Sequence, residues 1–275
     1  MRMRSPSARR RVLRAGAILP VLPVLLALGC AGPSSAADLL DTAKARGTLR
    51  IAMEGTYPPF NFKQARSGQL AGYDVDVARA VAAKLGLKPE FVTTEWAAIL
   101  AGLAAGKYDV IVSQVGITAK REQAFNFSQP YTYSFPQLIV RRNDGAAYAR
   151  MEDLKGRTVG VGQGSVFEQQ AKAVPGIAVK SYPAAPENLQ DLAFGRIDAA
   201  LNDSLMVGYL LKHSQLPIKA GARVGAPERM GIPFRKGSPK FKAAVDGALA
   251  DLQADGSLKA MSLKWFGTDA SRPAP

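Results

Sequence analysis

Cysteine and histidine are nearly missing from this chain, whose 275 residues hold one of each, Cys30 and His213. A lone thiol forbids any disulfide within the chain. Beside an apolar leader it suits a lipid attachment point better than a nucleophile or a metal ligand. His213 lies in Leu210-Leu211-Lys212-His213-Ser214, an expected helix end, where solvation or capping suits it better than proton transfer. Membrane-length apolar runs are missing too: the stretch from Ala15 to Gly29 falls short of a bilayer span and is broken by Pro20 and Pro23. Acids are scarce, 22 against 36 basic residues. The Lys and Arg are scattered, however, and do not interleave with aromatics, which argues against a nucleic-acid partner. No fixed-period repeat occurs, and no low-complexity tract interrupts the chain between its leader and the closing Ser271-Arg272-Pro273-Ala274-Pro275.

What is present begins with Arg2, Arg4, Arg9, Arg10, Arg11 and Arg14, followed by the apolar stretch and then small residues. That order is a secretory signal peptide, expected over residues 1–37. Ser35-Ala36-Ala37 before Asp38 fits ordinary signal peptidase, whereas Ala27-Leu28-Gly29-Cys30 offers an imperfect lipobox with cleavage after Gly29 and a lipid on Cys30. Both routes lead outside the cytoplasm, to the periplasm or to a membrane-anchored lipoprotein facing it. The run Arg9-Arg10-Arg11-Val12-Leu13-Arg14 has the look of a twin-arginine signal, which a basic leader produces by chance. Taking those six arginines from the 36 basic residues leaves 30 against 22 acidic ones, so the net charge falls from +14 to +8. Such a surface favours an acidic partner or an anionic envelope. About 240 residues then remain, enough for two modest cores.

From Thr48 the pattern alternates strand-like and helix-like segments. Leu49 to Met53 predicts a strand, Tyr57-Pro58-Pro59-Phe60 a turn, and Asp74 to Leu85 a helix with Val75, Ala78, Ala82 and Leu85 on one face and Gly86 at its end. A strand through Glu90 to Val92 leads to a helix starting at Trp96, with Ile99, Leu100 and Leu103 inward. Tyr108 to Ser113 reads as a buried strand. The same grammar restarts after Arg141 and Arg142, with a strand at Thr158 to Val161, a Gly-rich turn opening a helix at Ser165, a helix over Asn188 to Phe194 and a strand over Ile197 to Leu201. A long amphipathic helix from Pro239 to Leu252 and a short one ending at Trp265-Phe266 close the pattern. Strands and helices alternating in this way imply parallel crossover units and an α/β fold.

Eight segments in order then match a known pattern. They include Glu54-Gly55-Thr56-Tyr57-Pro58-Pro59-Phe60-Asn61-Phe62, Gly72-Tyr73-Asp74-Val75-Asp76-Val77-Ala78, Gly106-Lys107-Tyr108-Asp109-Val110-Ile111, Gly116-Ile117-Thr118-Ala119-Lys120-Arg121 and Phe127-Ser128-Gln129-Pro130-Tyr131. Leu154 to Val161, Gly195 to Ala200 and Lys264-Trp265-Phe266-Gly267 complete the set. Nearly the whole mature chain thereby resembles the family 3 extracellular solute-binding proteins, the amino-acid receptors of ABC importers. The resemblance implies a two-lobed periplasmic-binding-protein fold of type II, with lobe 1 over 38–140 and 231–268, lobe 2 over 141–230 and a tail over 269–275. Its two hinge crossings are expected near Val140 to Asp144 and Ala226 to Ile232.

A zwitterion must be gripped at its carboxylate and its ammonium, in a cleft that shuts out water. The resemblance places Arg121 at the family's carboxylate-binding arginine, where a guanidinium fork suits bidentate capture; read alone, it fits a surface arginine in a Lys-Arg-Glu run better. Asp203 matches the ammonium-binding aspartate but is also a natural helix cap; Ser165, after Gly162-Gln163-Gly164, caps a helix whose exposed N–H groups would also attract a carboxylate. Tyr57 and Trp96 match aromatics that line the cleft, although large aromatics are more often core. Glu54 stands where many relatives carry aspartate, and Gly116 where Ser or Thr is common. Ser113-Gln114-Val115 and Ala200-Leu201-Asn202-Asp203 are similar to the cystine-binding members. The resemblance therefore implies L-cystine as ligand, a membrane permease as partner, a monomer, no cofactor and no catalysis. A basic or other polar amino acid (arginine, lysine, histidine or glutamine) is the runner-up, since Glu54 would welcome a cation. A dehydratase on the same fold is the third reading.

Overall fold

The computed structural model describes residues 37–273, so the expected leader through Ala36, with Cys30, lies outside the described residues. Among those described, no helix is long and apolar enough to cross a membrane. The first run contains α1 (Leu39–Arg46), β1 (Thr48–Met53), β2 (Thr56–Tyr57), β3 (Asn61–Lys63), β4 (Leu70–Ala71), α2 (Tyr73–Lys84), β5 (Lys88–Thr93) and α3 (Trp96–Ala104). It continues through β6 (Val110–Ile111), β7 (Val115–Gly116), α4 (Ala119–Ala124), β8 (Phe125–Phe127) and β9 (Thr132–Ser134). The second run holds β10 (Pro136–Arg141), β11 (Thr158–Gly162), α5 (Val166–Lys172), β12 (Ala178–Tyr182), α6 (Ala185–Ala193), β13 (Ala199–Asp203), α7 (Ser204–His213) and β14 (Ile218–Arg223). The chain ends through β15 (Glu228–Gly231), β16 (Pro233–Arg235), α8 (Pro239–Ala254) and α9 (Ser257–Phe266).

These strands form two five-stranded sheets of the same plan, β5-β1-β6-β16-β8 and β12-β11-β13-β10-β14. In each, three parallel strands are followed by one antiparallel strand, β16 or β10, which then pairs antiparallel with a fifth. Both antiparallel strands follow directly on a small third sheet, β7-β15-β9, that lies between the two lobes in chain order. This two-lobed α/β arrangement is the type II plan. The first crossing differs from the expectation at Val140 to Asp144. Leu138, Ile139 and Val140 are already paired with β13 in the second sheet, so the chain passes over between β9 and β10. Arg141 and Arg142 mark the wet end of that strand, not a boundary between lobes.

Local chemistry explains the elements. Asp38 starts two helices, accepting from the Leu40 N–H of α1 at 2.9 Å and from the Lys240 and Phe241 N–H groups of α8 at 2.9 and 3.1 Å. The sequence pattern did not single out α1, because only Leu39 and Ala43 in it are buried. α2 is buried more widely than its one expected face, Val77 and Val81 included, since it lies against β5, α8 and α9. The strand expected over Tyr108 to Ser113 pairs only at Val110–Ile111. Asp109 is turned to Arg46 and Arg50, and Ser113 to the cleft. Residues 269–271 are more than a loose tail: Ala270 and Ser271 are buried, and the Ala270 carbonyl accepts from the Tyr133 N–H at 2.8 Å.

α2 has no side-chain cap. Its first N–H groups are met by backbone, Tyr73 donating to the Pro59 carbonyl at 3.0 Å and Asp74 to the Phe60 carbonyl at 2.8 Å. This docking needs Gly72, which has φ 127° and at which a Cβ would lie 2.2 Å from the Phe60 oxygen. We expect Gly72→Ala to cost about 3 kcal/mol or more, from backbone overlap together with left-handed strain. Urea unfolding measures it, and a midpoint within error of wild type would contradict the docking.

Candidate functional site

The cleft between the two sheets is lined by the carboxyl ends of their parallel strands and the helix starts beyond them, the usual place for ligands in open α/β sheets. Glu54 and Tyr57 follow β1, Trp96 opens α3 after β5, and Ser113, Gln114 and Gly116 follow β6. From the other side come Gly162 and Ser165 after β11, and Asn202 with Asp203 at the end of β13. All nine residues singled out in the sequence, Glu54, Tyr57, Trp96, Ser113, Gln114, Gly116, Arg121, Ser165 and Asp203, line one space of about 550 Å³, counting its part open to solvent. The cavity enclosed within it is about 50 Å³, so the cleft as it stands is nearly shut. His213 is elsewhere, exposed and stacked on Tyr209 at 4.0 Å.

Arg121, in the last turn of α4, is buried. Its Nη1 donates to the Gly116 carbonyl at 2.9 Å and its Nη2 to the Gly164 carbonyl at 3.0 Å, while Trp96 lies 5.7 Å from the guanidinium carbon. The fork thus spans the two lobes on neutral acceptors. Burial lowers its pKa to about 10, so it keeps its charge at neutral pH. Asp203 is the cap of α7, its Oδ1 accepting from the Leu205 N–H at 2.7 Å, and its Oδ2 takes the Ser134 hydroxyl. Ser165 caps α5, accepting from the Glu168 N–H at 3.1 Å. Capping and cleft lining therefore coincide at both positions. Tyr57 donates to Asn202 Oδ1 at 2.6 Å, a second bond between the lobes, and burial among acids keeps that phenol protonated.

Three buried carboxyls, Glu54, Asp74 and Asp203, and the half-buried Glu228 stand in and around the cleft, with Arg223 acting on Asp203 and Arg121 on Glu228. Burial, with Asp74 adding, pushes Glu54 up to about 8. Burial raises Asp74 to about 6 and Asp203 to about 6, in each case against the hydrogen bonds each accepts. Glu228, on the strand between the lobes, is raised to about 7 by burial and by Asp203, while Gln170 donates to its Oε1 at 2.7 Å. The arrangement can hold an anion at Arg121 and has room in its charge balance for more than one cation.

Sequence reasoning missed Asn202, Met230, Phe167 and the Ala184-Ala185 pair as lining residues, and Glu228 and Asp74 behind them. Asn202 had a signal, since it precedes Asp203 in a matched segment. Met230 and Glu228 had none, because they fall within the expected second crossing, Ala226 to Ile232, where no strand or site was predicted.

The profile of the bacterial extracellular solute-binding proteins, family 3, matches residues 49–268. The chain is 38% identical over 258 residues to the L-cystine-binding protein TcyJ of Escherichia coli strain K12, covering 93% of this chain and 97% of that one. It is 35% identical over 240 residues to a probable amino-acid ABC transporter-binding protein of Haemophilus influenzae, covering 87% and 92%. An ancestral arginine-binding protein bound to arginine superposes with a TM-score of 0.76 at 36% identity, covering 81% of this chain and 99% of that one. The chain belongs to the bacterial extracellular solute-binding proteins, family 3. Its relatives are solute-binding proteins of amino-acid transport, not enzymes.

The four raised carboxyls give a pH dependence of definite sign. Each binds its proton more tightly folded than unfolded, so the stability linked to that proton is complete below about pH 4 and is lost as pH rises through 6 to 8. Asp191, held well below the usual range by Lys180, Arg196 and Tyr182, acts in the opposite sense, but its contribution is already complete at pH 5. We expect the unfolding free energy of the unliganded protein to fall by several kcal/mol between pH 5 and 8, Glu54 contributing most. Urea titrations at three pH values decide it; a flat or rising profile would contradict a closed cleft holding these acids.

Proposed function

We propose that this chain is the substrate-binding component of an amino-acid ABC importer, and that its ligand is L-cystine. The observation that carries the reading is the charge pattern of the cleft. Arg121 comes from one lobe and Asp203 from the other, the pair a zwitterionic head requires. Glu54 adds a third ionisable group, a buried carboxyl raised to about 8 by burial and by Asp74, which a ligand cation would draw into its charged form. Cystine ends in a second zwitterionic head, so its far ammonium has a use for Glu54 that an apolar amino acid does not. Similarity to the E. coli cystine-binding protein supports the same choice. The competing ligand is arginine, favoured by the same Glu54 and by the likeness to an arginine-bound structure. Arg121, Asp203, Tyr57, Trp96, Glu54, Ser113, Gln114, Gly116 and Ser165 are the proposed contacts. In this reading the protein works in the periplasm as a monomer serving a membrane permease, with Cys30 as its lipid anchor when the lipobox is used.

Thermal-shift screening is expected to rank L-cystine above arginine, lysine, histidine and glutamine. A larger shift with arginine and none with cystine overturns the ligand and leaves the receptor class standing.

Arg121→Ala is expected to weaken cystine binding by about 2–5 kcal/mol, because it leaves a desolvated carboxylate without its partner. Asp203→Asn keeps the α7 cap while removing the charge, so its loss of affinity reports ammonium binding apart from folding. Calorimetric affinities equal to wild type would remove the residue concerned from the site.

A further inference from the structure

Beneath the cleft floor lies a buried polar cluster centred on Asp74. Gln114, immediately above it, is the one non-glycine residue in the left-handed region among the described residues, at φ 51°. Such conformations persist where the surroundings fix them. Here the Gln114 N–H donates to the Tyr131 hydroxyl oxygen at 3.2 Å, and the Tyr131 O–H donates to Asp74 Oδ1 at 2.9 Å. Gln114 Nε2 donates to the same Oδ1 at 2.7 Å. The other Asp74 oxygen accepts from Asn61 Nδ2 at 2.8 Å, and Asn61 Oδ1 accepts from the Gly55 N–H at 2.8 Å, beside Glu54. Asp74 itself is wholly buried and is not among the residues lining the cleft.

A side-chain amide has a donor end and an acceptor end. An ionised carboxylate can only accept, so Asp74 fixes which end of Gln114 faces it and turns Oε1 the other way. That Oε1 is buried with no hydrogen-bond partner among the described residues, on a side chain that is 7% exposed and lines the cleft. An unmet buried acceptor is costly, and a ligand N–H relieves it.

We propose that Asp74 is a positioning residue for ligand recognition: it locks the Gln114 amide so that Oε1 accepts a hydrogen bond from an ammonium of the bound amino acid. This gives the site an uncharged ammonium acceptor in addition to Asp203. The proposal rests on the amino-acid-receptor reading above.

A double-mutant cycle tests it, with Asp74→Asn, Gln114→Met and the pair titrated calorimetrically with L-cystine and, in parallel, L-arginine. An asparagine at position 74 can donate to Oε1, which lets the Gln114 amide turn its NH2 toward the ligand's ammonium. Each single change is expected to lower affinity about tenfold or more, and the pair to bind no worse than Gln114→Met alone. A merely structural Asp74 would instead cost the same in both backgrounds, and that result overturns the proposal. So does a Gln114→Met protein that binds like wild type, which decides the matter even if Asp74→Asn does not fold. If wild type binds arginine and not cystine, the ligand choice fails and the cycle is scored with arginine. If it binds neither, the reading of the site falls and this proposal with it.

Discussion

Taking Glu54, Asp74 and Asp203 out of water, with Glu228 half-buried beside them and only Arg121 and Arg223 as nearby cations, is the constraint on which the rest of the site depends. A buried charge is tolerated only when hydrogen bonds or an opposite charge replace the water it loses. Asp203 meets this with the Ser134 hydroxyl and the first N–H groups of α7, and Asp74 with Asn61, Gln114 and Tyr131. Glu54 has no such group and is raised furthest, to about 8. The order of the shifts therefore follows the supply of donors, and the carboxyl worst supplied is one that faces the ligand space. A cation arriving there restores the ionised form, so binding and proton release are coupled through Glu54.

The fold creates this constraint because its two sheets share a plan and point the same ends at each other. Each lobe contributes strand termini, where backbone N–H groups and short polar side chains end the strand, and each receives one antiparallel strand straight from the connection between lobes. Glu228 and Met230 lie on that connection, in β15, while Gly116 pairs with Met230 across it. The connection between lobes therefore also supplies part of the cleft wall. Displacing β15 moves a cleft wall and a half-buried acid together.

The strand-helix alternation was legible in local patterns, whereas the two lobes and the cleft residues were legible mainly through the family resemblance: read alone, Arg121 is a surface arginine, Tyr57 and Trp96 are core aromatics, and Ser165 and Asp203 are helix caps. The position of the first crossing was legible in neither. Charged Arg141 and Arg142 look like a boundary, yet the strand before them pairs with β13 through contacts made far along the chain. Asp74 was visible as part of a matched segment, but its place under Gln114 depends on the β6 turn meeting the start of α2. Windows of sequence hold no record of such a meeting. Glu228 and the packing of Ala270 against β9 were hidden for the same reason.

The bonds that join the lobes also bear on what a ligand must do. Arg121 holds the Gly164 carbonyl, Tyr57 holds Asn202, and Phe62 lies 6.3 Å from Tyr209 between ring centroids. The first two use groups that line the cleft, so a bound carboxylate competes with a bond that already closes it. Closure and affinity then cannot be assigned to separate residues. Gly116 fits this picture, because a Cβ there would lie 3.1 Å from Val166 Cγ1 on the facing lobe and 3.4 Å from Arg121 Nη1. A serine or threonine at that position would add a hydroxyl for the ligand but would push against both the opposite wall and the guanidinium. This chain has the smaller residue, which allows the facing walls and the Arg121 guanidinium to approach.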